Sequence, residues 1–153
     1  MVTSAQCKAK YGLPYDDEAT TVNENTAFEG KYMTLWDVPE HINKAIPCLP
    51  NRIYCNKDLV APLQQAFQNI IDRKLTAEFK TWDGCFNIRN KRALSTLSLH
   101  SWAIAIDCNA AWNGLGKNPT MSKEFAQCFI DAGFDWGGLW ARLDGMHFQL
   151  AKI

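Results

Sequence analysis

The run Ala103-Ile-Ala-Ile-Asp107 constrains this chain more than any other part of it. Read as a strand, it points Ile104 and Ile106 to one side and Ala103, Ala105 and Asp107 to the other. A purely structural strand buried on both faces carries bulk on both. Here one face holds two isoleucines, and the other holds two methyls beside a carboxylate. That second face leaves room for a metal ion and a water. A buried aspartate also needs a partner, because an isolated charge is very costly to take out of water.

Around this strand the pattern alternates between two periods. Leu59, Leu63, Ala66, Phe67, Ile70 and Ile71 recur at helical spacing, which predicts a helix over Asp58 to Lys74. Pro62 then belongs in or near its first turn, since deeper it would break the hydrogen-bond ladder. A second helix is predicted over Ser122 to Ala132, with Ser122 as N-cap and Gly133 as stop. Phe79 to Trp82 alternates as a half-buried strand would, Asp83-Gly84 signals a turn, and Cys85 to Arg89 continues as a short extended piece. Met146 to Leu150 alternates again, with His147 and Gln149 on one side. Residues 1–50 are poorly periodic: Asp16 to Asn25 reads as loop, and Tyr32 to Trp36 as a strand or packed arm. The expectation is an α+β fold, a small antiparallel sheet flanked by helices. It forms a single domain over residues 1–153, with residues 1–50 as an arm on it and residues 80–150 carrying the motifs.

The chain has 153 residues, enough to bury a real core without staples. Sixteen basic residues balance sixteen acidic ones, so no field points to nucleic acid. No apolar run reaches the roughly 18 residues that would span a bilayer, so no membrane insertion is expected. Met1 to Lys10 lacks the apolar core of a signal peptide, so synthesis without export by that route is expected. Six cysteines occur without a CxxC pair, which argues against a four-cysteine zinc site. Free thiols are expected rather than a Cys48–Cys55 disulfide.

There are three histidines, and His41 sits in a loop-like stretch that suggests no role beyond structure. His100 lies seven residues before Asp107, and His147 three residues after Asp144. Two imidazoles and one carboxylate are a donor set that zinc accepts, with a fourth position left for water. Asp144, beside the flexible Gly145, can turn into the same site as a proton acceptor. Arg89 has the rigid donor fork to hold an oxyanion or a substrate carboxylate. Taken singly, each of these residues has an ordinary reading: a strand-end aspartate, a turn, a surface charge. The helical HExxH motif is absent.

Taken together, the residues resemble a known family, the VanY/VanX-like zinc DD-peptidases and L-alanyl-D-glutamate endopeptidases, and most of all its bacteriophage endolysin branch. The family pattern is Ser-x-His-x-x-Gly-x-Ala-x-Asp, followed by a carboxylate three residues ahead of a second histidine. Ser98, His100, Ala105 and Asp107 match its first part, and Asp144 and His147 its second. Cys85 to Arg89 resembles the segment that delivers the family's arginine. The resemblance covers about Lys80 to Leu150. It implies a DD-peptidase/hedgehog-like fold and one zinc ion per chain on His100, Asp107 and His147. Asp144 would be the general base, Arg89 the transition-state stabiliser and Ser98 a supporting hydrogen bonder. It implies peptidoglycan as the substrate, cut at the L-Ala–D-Glu bond. The alternatives are a D-Ala–D-Ala carboxypeptidase, or a catalytically weak zinc-bearing module of a virion or wall-binding kind. Arg92 and Arg142 are further candidates for binding stem-peptide carboxylates, and Trp136 and Trp140 for lining the cleft. Core packing is the expectation for Trp102. A monomer is expected, made in the host cytoplasm and reaching the wall after holin-mediated release. One position departs: Ala103 stands where the family has glycine. Ordinary strand angles there would tolerate alanine, whereas a positive φ would strain it.

Overall fold

The computed structural model describes residues 1–15 and 27–153. The Asp16–Asn25 expectation therefore lies outside the described residues. The fold is α+β, with five α-helices and two small antiparallel sheets among the described residues. In chain order the elements are α1 (Ser4–Tyr11), α2 (Ala27–Tyr32), β1 (Met33–Asp37), α3 (Glu40–Ala45), β2 (Arg52–Asn56) and α4 (Lys57–Asp72). They continue with β3 (Trp82–Gly84), β4 (Ala105–Cys108), α5 (Lys123–Asp131), β5 (Phe134–Trp136) and β6 (His147–Leu150). β1 and β2 form a hairpin-like pair, and the second sheet has the order β3-β4-β6-β5.

The two faces of the second sheet explain the molecule. Ile106 on β4, Phe148 on β6 and Trp136 on β5 are cross-strand partners and share one face. α5 covers that face: Phe129 stacks on Phe148 at 4.0 Å between ring centroids and meets Phe134 edge-on at 5.6 Å. Each such pair adds about 0.5–1.5 kcal/mol beyond area burial. α5 also packs on α4. Ala105, Asp107, His147, Gln149 and Asp135 alternate onto the opposite face. The N-terminal segment reaches that side of the sheet through Val2, whose carbonyl accepts from the Gln149 amide.

The two predicted helices form, capped as their sequences dictate. Asn56 Oδ1 accepts from Asp58 N at 3.0 Å to open α4, and Ser122 Oγ accepts from Phe125 N at 3.0 Å to open α5. Pro62 lies deeper in α4 than expected, in its second turn, because the Asn56 cap starts the helix at Lys57. Three other expectations are corrected. Phe79 to Trp82 is not a strand: a 3₁₀ turn over Thr76–Glu78 precedes it, and pairing begins only at Trp82. Asp83-Gly84 is no turn but a bulge in β3, with the register shifting between Trp82 and Gly84 and Gly84 at φ 117°. Ala103 is not in the strand, which starts at Ala105; it closes a 3₁₀ turn in the left-handed conformation, φ 52° and ψ 38°. The six cysteines are free thiols. No helix of the described residues is long and apolar enough to cross a membrane.

Candidate metal centre

Antiparallel register brings the first two donors together. Asp107 on β4 and His147 on β6 are directly opposite, so their side chains leave the sheet side by side. The third arrives from the 3₁₀ turn Leu99–Trp102 that precedes β4. Ser98 opens this turn, its Oγ accepting from His100 N at 3.4 Å, and the left-handed Ala103 ends it. The reversal folds His100 back over the start of its own strand. His100 Nε2 lies 3.2 Å from Asp107 Oδ1, His147 Nδ1 3.3 Å from the same oxygen, and the two nitrogens 3.2 Å from each other.

The outer nitrogen of each ring settles which atom faces inward. His100 Nδ1 is 2.8 Å from the Cys85 carbonyl, which can only accept, so Nδ1 carries the proton and Nε2 presents a lone pair. His147 Nε2 is 3.2 Å from Gln149 Oε1 and donates to it, so Nδ1 presents its lone pair. Asp107 Oδ1 is buried and no hydrogen-bond donor satisfies it. Three acceptors thus converge with no donor among them, an arrangement that only a cation stabilises. A tetrahedral ion with ligand bonds of about 2.0–2.1 Å has edges of about 3.3–3.4 Å, which matches the three observed separations. The donor set and its spacing fit a zinc-like ion. Positive charge is what the carboxyl calls for: burial alone would raise Asp107, and imidazoles that turn a proton toward it, in place of an ion, hold it well below the usual carboxylate range.

Asp144 is held next to this cluster by a fixed turn. Its N–H donates to Gly137 O at 2.9 Å, and its own carbonyl accepts from His147 N at 3.1 Å. A Cβ on Gly137 would collide with the Asp144 carbonyl, so only glycine fits there. Gly145, on the other side, sits so close to Asn113 Oδ1 that a Cβ would come within 2.9 Å of it. Burial, reinforced by the nearby Asp107, pushes the half-buried Asp144 carboxyl up despite the opposing His147. A raised carboxyl beside a metal is suited to take and return a proton.

A cavity of about 330 Å³ opens over these groups, with Asp107, Asp144, His147, Arg89, Trp140 and Arg142 in its lining. Arg89 is exposed at its rim and near enough to bias both His100 and Asp144 electrostatically. Ser98 is in the wall as well as capping the His100 turn. Trp140 packs on the His147 ring at 5.3 Å. Trp136 differs from its expected place. It is not in the cavity wall but in the core, stacked over Phe148, with its indole N–H donating to Gly145 O at 2.9 Å. Trp102 is core, its indole N–H on Gly12 O at 2.8 Å. His41 is on the surface against Gln68. Sequence reasoning passed over the Cys85 carbonyl and the Gln149 amide as partners of the two histidines. Gln149 shares the His147 face of the alternation, which is the one signal that could have found it.

This geometry defines a group of three donors that could hold a metal ion, with an adjacent carboxylate in a cleft. Residues 92–150 match a peptidase M15 family model described as D-alanyl-D-alanine carboxypeptidase. The matched segment contains His100, Asp107, Asp144 and His147 and begins just after Arg89. It supports a metallopeptidase related to the VanY-like enzymes. No curated protein and no solved structure matches the chain.

Proposed function

We propose that the chain is a zinc peptidase that hydrolyses the stem peptides of bacterial peptidoglycan at the L-Ala–D-Glu bond, as a phage endolysin does. The observation that carries this reading is the convergence of three lone-pair donors at 3.2–3.3 Å beside a half-buried carboxylate inside a cleft. One zinc ion per chain, on His100, Asp107 and His147, supplies the positive charge that polarises a scissile carbonyl and makes water nucleophilic at neutral pH. Asp144 takes the proton of the attacking water and passes it to the leaving amine as the C–N bond breaks. Arg89 receives the negative charge that develops on the carbonyl oxygen, or a substrate carboxylate. Ser98 keeps the His100 turn in shape. The enzyme acts as a monomer, is made in the host cytoplasm and reaches the wall after holin-mediated release.

Asp144→Asn is isosteric and leaves all three metal donors in place. Cleavage of purified peptidoglycan is expected to fall by about 10²–10⁴-fold while zinc content stays at one per chain. A variant that cleaves at the wild-type rate removes Asp144 from the mechanism. The family description favours a second reading, a D-alanyl-D-alanine carboxypeptidase. Mass spectrometry of released fragments separates the two: new N-terminal D-Glu marks the endopeptidase, and single released D-Ala marks the carboxypeptidase.

A further inference from the structure

Gln149 is 3% exposed, yet neither end of its side-chain amide is spent on the backbone of the strand that carries it. Its Nε2 donates to the Val2 carbonyl at 3.3 Å, and its Oε1 lies 3.2 Å from His147 Nε2. A backbone carbonyl only accepts, so the nitrogen end of the amide must face Val2. The oxygen end must then face His147, and the ring nitrogen it meets must carry the proton. The other nitrogen, Nδ1, is left as the lone pair aimed at Asp107 and His100. One acceptor at residue 2 therefore dictates a tautomer at residue 147.

We propose that Gln149 is a positioning residue that relays the N-terminal backbone to the metal centre, holding His147 in its Nε2–H tautomer so that Nδ1 binds the ion. The N-terminal segment is well anchored for this. Val2 is buried at 6% exposure, Ser4 Oγ donates to Leu97 O at 2.6 Å, and Thr3 with Gln6 forms a capping box that fixes the start of α1. Residues 1–4 thus close over the site face of the sheet and belong to the support of the metal centre. Partners of this kind orient a ligand ring, and their loss typically weakens metal binding by about 10–100-fold. The inference rests on the metal reading of the cluster, not on the peptidase reading.

Three measurements on the full chain test it. Metal-free protein labelled with ¹⁵N-histidine is expected to show His147 protonated at Nε2; protonation at Nδ1 overturns the proposal. Zinc affinity, read by competition with a chelator, is expected to fall about 10–100-fold in Gln149→Leu, with an altered cobalt(II) absorption spectrum. Gln149→Glu keeps an acceptor opposite His147 and is expected to stay within about tenfold of the wild type. Wild-type affinity and spectrum in Gln149→Leu, or equal losses in both variants, overturn the relay. Should Gln149→Leu not fold, the tautomer still decides. Should the wild-type chain bind no zinc, the metal reading fails, and the metal-free tautomer still tests the relay by itself.

Discussion

Ala103 stands in the left-handed region at φ 52°, with its side chain fully buried. Left-handed backbone costs an alanine about 1–2 kcal/mol. Two effects offset what glycine would recover: a buried methyl contributes about 0.8 kcal/mol, and glycine loses about 0.5–1 kcal/mol more backbone entropy on folding. The strain is also held in place, since the Ala103 carbonyl accepts from Asn56 N at 3.2 Å. Ala103→Gly is therefore expected to be close to neutral, shifting the melting temperature by less than about 4 °C in either direction. A drop much larger than that would mean the methyl fills its pocket more tightly than its area implies. The strand reading of Ala103 leaves it unstrained; the positive φ that strains an alanine is present instead, and its net cost is small. The three converging side chains were legible because histidines are rare here and chemically marked. Gln149 was not, because a neutral amide between strands carries no chemical flag, and its deciding partner is a backbone carbonyl 147 residues away.

At the level of elements, what could be read was what repeats. α4 and α5 each show enough turns for a 3.6-residue period to emerge, and the Ser122 cap of α5 was readable with them, whereas the Asn56 cap of α4 was not. α2 and α3 have six residues each, too few for a period, and β3 has three with a bulge in the middle. Such elements are set by tertiary contacts, which a linear pattern does not carry. Asn56 is the joint between the readable and unreadable parts. Fully buried, it caps α4 through Oδ1, and its Nδ2 donates to Trp102 O at 3.1 Å, in the turn that carries His100. Asn56→Ala removes a cap, about 1 kcal/mol, and strips the Trp102 carbonyl of its side-chain donor, about 1–3 kcal/mol. The expected loss is about 2–4 kcal/mol, or a melting temperature lower by roughly 5–10 °C. Ser122→Ala loses a cap and also the Oγ donation to Glu78 Oε2 at 2.8 Å, and is expected to cost about 1–3 kcal/mol. A loss in Asn56→Ala no larger than a cap alone, about 1 kcal/mol in thermal melts, would show that the bond to Trp102 O contributes nothing.

Across the whole molecule the charges cancel, sixteen against sixteen, yet they are not spread evenly. Arg89, Lys91, Arg92 and Arg142 all line the cavity, with only Asp107 and Asp144 as acids among the described residues, and a bound divalent ion would add further positive charge. Arg142 also ties the rim together, donating from Nη1 to the Arg92 carbonyl at 3.3 Å. Low-dielectric walls focus such a field on whatever enters the cleft. On the peptidase reading, this selects among stem peptides by their third residue. Diaminopimelate differs from lysine there by one additional carboxylate, and that carboxylate would meet the rim. Peptides with diaminopimelate are expected to be cleaved with a kcat/KM about tenfold higher than lysine peptides at low salt, equivalent to about 1.4 kcal/mol. Because the rim is exposed, the preference should shrink as the screening length falls from about 30 Å at 0.01 M salt to about 3 Å at 1 M. Arg92→Ala and Arg142→Ala should lower it without changing zinc content, since neither residue touches the metal donors. Steady-state rates on the two synthetic peptides across a salt series decide the matter. Equal rates at low salt, or a preference that salt leaves unchanged, would mean that the rim does not read the substrate's charge and that shape alone sets the choice.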